Sequence, residues 1–136
     1  MSLQMPPRLM TAALLHWFLA VASCALAAVT AVGRSISEDS VLWGAWYGSY
    51  IAFLGLINVF AVLGLYRQNA PEVTTSRLAS GLTFLQFGNA LQRSVLREGF
   101  PTVPGVLVAV IAVLCVVAFV LTFGPRVKHW KAANRR

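Results

Sequence analysis

Leu82, Gln86, Asn89 and Arg93 follow one another at i, i+4, i+7 and i+11, with Gln92 at their flank. A helix through this stretch carries its amides and guanidinium on one stripe. The surrounding residues are apolar enough to suggest a bilayer, where a charged side chain at mid-depth costs about 2.5 to 3.5 kcal/mol, so polar groups kept there face other helices and often serve function. Tyr47 and Tyr50 fall at a similar depth on the preceding apolar segment when positions are counted from each segment's centre. Together Tyr47, Tyr50, Gln86, Asn89 and Arg93 could line a small ligand-binding cavity open toward the outer leaflet. Glu38 and Asp39, in the loop on the same side, are candidate charge partners for an Arg93 that snorkels outward. The competing reading is interhelical hydrogen bonding alone, with bonds worth about 0.6 kcal/mol on average.

A second polar layer falls lower. His16 and Asn58 lie in the inner half of their segments, near the level of Ser80 and Thr83. His16 and His129 are each alone, and a lone histidine on an apolar face reads first as a hydrogen-bonded core residue. There is no CxxC pair, no His or Cys cluster with metal-ligand spacing and no Gly-rich phosphate loop, so neither metal nor cofactor is expected. No carboxylate falls inside an apolar segment, which argues against proton-coupled export through a membrane-buried acid.

The elements that must position these residues follow from composition. Of 136 residues 58% are hydrophobic and only 11% charged, far from the soluble average. A helix needs roughly 20 apolar residues to cross the hydrocarbon core, and four segments reach that length, at about 9–32, 41–66, 78–96 and 103–123. The third is the most polar. Breakers fall between them: Gly33 to Ser40, Gln68 to Ser76 with Pro71, and Glu98 to Pro104 with Gly99 and Pro101. Links this short make consecutive helices antiparallel neighbours. The predicted fold is all-α, a polytopic four-transmembrane-helix antiparallel bundle forming one membrane domain over 1–136, with a basic tail at 124–136.

The net charge of +7 belongs to topology rather than to nucleic acid. Four crossings place Arg8, Arg67, Arg77, Arg126, Lys128, Lys131, Arg135 and Arg136 on one side with Glu72. The other side holds Arg34, Arg93 and Arg97 with Glu38, Asp39 and Glu98. The positive-inside rule then puts both termini in the cytoplasm, in the cell (inner) membrane. Ala25-Leu26-Ala27 resembles a signal-peptidase site and the run to Cys24 an acylation box, but apolar residues continue through Val32, so the first helix is expected to be retained. Cys24 and Cys115 both fall near mid-membrane and read as small buried hydrophobes. Trp43, Trp46, Tyr47 and Tyr50 at one end, and Tyr66, Phe123 and Trp130 at the other, read as interfacial belts. Gly44 and Gly48 form a GxxxG, a signal for close helix packing and, more weakly, for a homodimer.

Trp46-Tyr47-Gly48, the polar third helix with Asn89 and Arg93, and the Gly99-Phe100-Pro101-Thr102 link resemble the small four-helix bacterial membrane proteins described as DoxX-like, over about the last two thirds of the chain. The resemblance implies architecture rather than a reaction. Three functions fit: a non-enzymatic accessory subunit or binder of a lipophilic molecule; a membrane enzyme (isomerase, cyclase or oxygenase) in which Tyr47, Tyr50, Asn89 and Arg93 orient a lipophilic metabolite and a tyrosine or Asp39 moves protons; or an oligomeric transporter or channel subunit. The expected partners are the lipid bilayer, a lipophilic small molecule, and a second copy or a larger membrane protein, with no nucleic acid.

Overall fold

The computed structural model describes residues 4–37, 40–67, 72–98 and 103–134, and every element among them is helical. In chain order these are α1 (Pro7–Ser37), α2 (Val41–Leu65), α3 (Val73–Glu98), α4 (Val103–Leu121) and α5 (Pro125–Ala133). The four long helices follow the four apolar segments, with α2 and α4 ending one and two residues short of the expected bounds, while α1 and α3 are longer than expected. Gly33 does not stop α1, which continues to Ser37 and carries the Ser35 hydroxyl bonded to the Ala31 carbonyl at 2.7 Å. α3 starts at Val73, so Ser76, expected in the second loop, is helical.

α1 packs on α2, α2 on α3, α3 on α4 and α4 on α1. The α1–α2 contact is closest. A Cβ added at Gly48 would lie 2.8 Å from Ala31 Cβ and 3.1 Å from the Ala27 carbonyl oxygen, so only glycine lets the two backbones meet there. The GxxxG face is therefore occupied by α1 of the same chain, not by a second copy.

α1 and Gly44–Leu65 of α2 are long and apolar enough to cross a membrane; α4 and α5 give a third such stretch if the pair is counted together across a 61° bend. The outward surface matches. Leu14, Val21 and Val29 on α1, Phe53 and Phe60 on α2, and Val113 and Val120 on α4 are all exposed. Cys115 is buried beside Leu19, Phe87 and Ile111, whereas Cys24, expected to be buried, is exposed on α1.

The expected basic tail folds back as α5. Gly124 takes φ 136°, a left-handed conformation that L side chains avoid, and Pro125 follows at the first turn of α5, where its missing N–H costs nothing. Val127 and Trp130 of α5 are buried against Leu9 and Ala13 of α1, Val62 and Leu65 of α2, and Val73 of α3. Trp130, 6% exposed, is thus a core residue rather than an interfacial anchor. Arg77 on α3 holds the α4 end from the other side. Its Nε donates to Thr122 Oγ1 and its Nη2 to the Thr122 carbonyl, both at 3.1 Å, and the guanidinium lies 4.0 Å from the centre of the Phe123 ring. A cation that satisfies a carbonyl at a helix C-terminus is favourably placed against the helix dipole.

Candidate functional site

Ser76, Ser80 and Thr83 lie at i, i+4 and i+7 on α3, and this face meets His16 of α1 and Asn58 of α2 in the interior. All five side chains are fully buried. His16 Nδ1 lies 2.7 Å from Asn58 Oδ1, and His16 Nε2 lies 2.6 Å from Ser76 Oγ. Asn58 Nδ2 donates to the Leu54 carbonyl at 2.8 Å and to Thr83 Oγ1 at 2.9 Å. Ser80 Oγ donates to the Ser76 carbonyl at 2.9 Å.

The chemistry of the partners orients every group. A carbonyl only accepts, so the Asn58 atom facing Leu54 must be the amide nitrogen, which turns Oδ1 toward His16. The neutral imidazole therefore carries its proton on Nδ1, and Nε2 accepts from the Ser76 hydroxyl. The order hydroxyl, imidazole, amide oxygen is that of an activated nucleophile with its base and an orienting group. Chemistry also requires a place for an electrophile beside the hydroxyl, and Ser76 is enclosed on all sides. The same bonds instead act as a clasp across three helices. Buried polar groups are costly unless paired, and here only the Ser23 hydroxyl, about two turns further along α1 than His16, is buried without a hydrogen-bond partner among the described residues.

The outer residues are placed differently. Tyr47 and Tyr50 are 39% and 48% exposed on α2. On α3, Gln86 is half-buried while Asn89, Gln92 and Arg93 are exposed. Glu38 and Asp39 lie outside the described residues. The inner layer was legible from depth counting for His16, Asn58, Ser80 and Thr83; Ser76 was missed, although its i−4 relation to Ser80 would have found it had α3 been extended by a turn.

An open cleft of about 500 Å³ lies at the other end of α2 from the two tyrosines. Ile57, Phe60 and Leu63 form its apolar wall, with Arg67, Glu72 and Thr75 at the α2–α3 junction. The Glu72 N–H donates to the Gly64 carbonyl at 3.0 Å and fixes that junction. An apolar wall with a few polar groups at one edge suits an amphiphile. No group of three or more His, Cys, Asp or Glu side chains that could hold a metal occurs among the described residues. No known protein family, no curated protein and no solved structure matches the chain.

Proposed function

We propose that the chain is an integral membrane protein of four transmembrane helices, with both termini in the cytoplasm, that acts without covalent chemistry as a binder of a lipophilic molecule or as the accessory subunit of a larger membrane assembly. The observation that carries this reading is the contrast between inside and outside. The polar side chains of the interior hydrogen-bond mainly to one another, while the outward faces of α1, α2 and α4 present Leu, Val and Phe. Such an inversion suits a hydrocarbon solvent, in which interhelical hydrogen bonds and close small-residue packing hold helices together. α3 makes the fourth crossing, its cost reduced because its polar residues on the inner face are paired. The excess of Arg and Lys on the side of the termini supports the cytoplasmic placement.

The amphiphile-shaped cleft at Ile57, Phe60, Leu63, Arg67 and Glu72 favours binding within this reading. Resemblance to the DoxX-like group supports the architecture and adds nothing on chemistry. Extraction of membranes with alkaline carbonate should leave the protein in the pellet, and a reporter fused after Arg136 should be active only on the cytoplasmic side. Native mass spectrometry from mild detergent should show a retained lipophile or a co-purifying protein. Release by carbonate, an external reporter, or turnover of a lipophilic substrate by the purified protein would each overturn the proposal.

A further inference from the structure

α3 carries a second pattern on the face turned away from its buried residues. Leu78, Leu82, Leu85, Asn89, Gln92 and Leu96 are separated alternately by four and three residues, the spacing of a heptad seam. All six are exposed, Leu85 at 67% and Leu96 at 75%. None of the described residues covers this seam, and none of the described hydrogen bonds or ion pairs engages Asn89 or Gln92. Facing lipid, the two amides would have at most the carbonyls of their own helix to donate to, and their oxygens would find no donor.

Gly81 and Gly88 point to the same interface independently. They lie seven residues apart along one edge of the seam. A Cβ at Gly81 would meet nothing within 4 Å, and one at Gly88 only the Phe84 ring of its own helix, at 3.9 Å. Both differ from Gly48, whose missing Cβ is required by α1. A glycine inside a helix costs about 1 kcal/mol relative to alanine, and within this chain neither gains any close packing in return.

We propose that the α3 seam docks a second copy of this chain, α3 against α3, in a parallel twofold pair centred on Asn89. This rests on the membrane-spanning reading above, since only chains inserted with one topology bring equal depths of α3 together. The amide is both donor and acceptor, so Asn89 can exchange two hydrogen bonds with its symmetry mate, as an isologous contact requires. No charge lies on the seam between Leu78 and Leu96, so two copies meet there without like-charge contact. Arg93 falls on the seam's other edge, near the outer end of α3, from where its stem reaches the head groups. The leucines set the left-handed crossing of about 20°. The amides supply the attraction, because lipid is as apolar as leucine.

Cysteine cross-linking in native membranes tests this in a Cys24→Ser background. Leu82→Cys, Leu85→Cys and Leu96→Cys should each give a cross-linked dimer, while Phe84→Cys, on another side of α3, and Val113→Cys, exposed on α4, should not. Asn89→Leu should lower the dimerisation constant roughly eightfold, the loss expected for two interhelical bonds of average strength. Gly88→Leu should also weaken the dimer while leaving the monomer folded. A monomeric protein, equal cross-linking at Phe84 and Val113, or a seam that cross-links only to a different polypeptide would overturn the proposal. Carbonate extraction of the same membranes separates the failures, since release from the membrane would sink the spanning reading as well.

Discussion

Replacing Asn58 by leucine should be among the most damaging single changes that leave side-chain size nearly constant. The substitution removes the acceptor 2.7 Å from His16 Nδ1 and the donor 2.9 Å from Thr83 Oγ1. The Thr83 hydroxyl can rotate, but the imidazole N–H is fully buried and has nowhere to turn. An orphaned buried donor costs about 1 to 3 kcal/mol, to which the lost interhelical bonds add about 0.6 kcal/mol each. A destabilisation near 2 to 3 kcal/mol is therefore expected. His16→Leu should cost a similar amount, because it strands Asn58 Oδ1 and the Ser76 hydroxyl. The double variant leaves neither the imidazole N–H nor the amide oxygen behind, so its cost should fall short of the sum by about 1 to 2 kcal/mol. Reversible unfolding of the four proteins in mixed micelles, compared as a double-mutant cycle, measures this difference. Additivity of the two single changes within about 0.5 kcal/mol would show that the groups do not interact and would refute the clasp.

Gly48→Val should destabilise by about 1 to 3 kcal/mol, the usual cost of overpacking, because the new side chain meets the α1 backbone at Ala27; the same unfolding assay reads it. Arg77→Gln should lose the two bonds to Thr122 and the contact with Phe123, exposing the α4–α5 junction to limited proteolysis, and Arg77→Lys should rescue only in part because an ammonium lacks the planar fork. Gly124→Ala should strain the turn by about 1 to 3 kcal/mol and loosen α5, seen as a red shift of fluorescence in a variant whose only tryptophan is Trp130. A fluorophosphonate probe should leave Ser76 unmodified in intact membranes; labelling abolished by Ser76→Ala and His16→Leu would show that the hydroxyl is accessible and activated.

Much of the helical organisation could be read from apolar run length, because a helix in hydrocarbon must satisfy its own backbone and announces itself as an unbroken stretch. Boundaries were less legible. Thr74, Thr75, Ser76 and Arg77 read as loop because they are polar, yet their side chains find partners or the surface once α3 extends to Val73. Residues 124–136 read as a basic tail because of their charge, although Gly124 before Pro125 is a helix-start signal and Val127 with Trp130 shares one side at i, i+3. The direction of the Gly44 and Gly48 face could not be read at all. A small-residue stripe fits a neighbouring helix of the same chain as well as a second copy, and only the position of Ala27 and Ala31 decides between them. Depth counting set Ser80 and Thr83 apart from the stripe of Gln86, Asn89 and Arg93, but run length and spacing could not say that Asn89 and Arg93 turn outward.

The seat of α5 has a bearing on biogenesis. Leu9, Leu65 and Val73 come from α1, α2 and the start of α3, and the Val127 and Trp130 that cover them follow later in the chain. Until α5 has been made and seated, that end of the nascent bundle stands open with an apolar hollow in it. Truncated products lacking α5 would therefore expose the hollow to quality-control proteases.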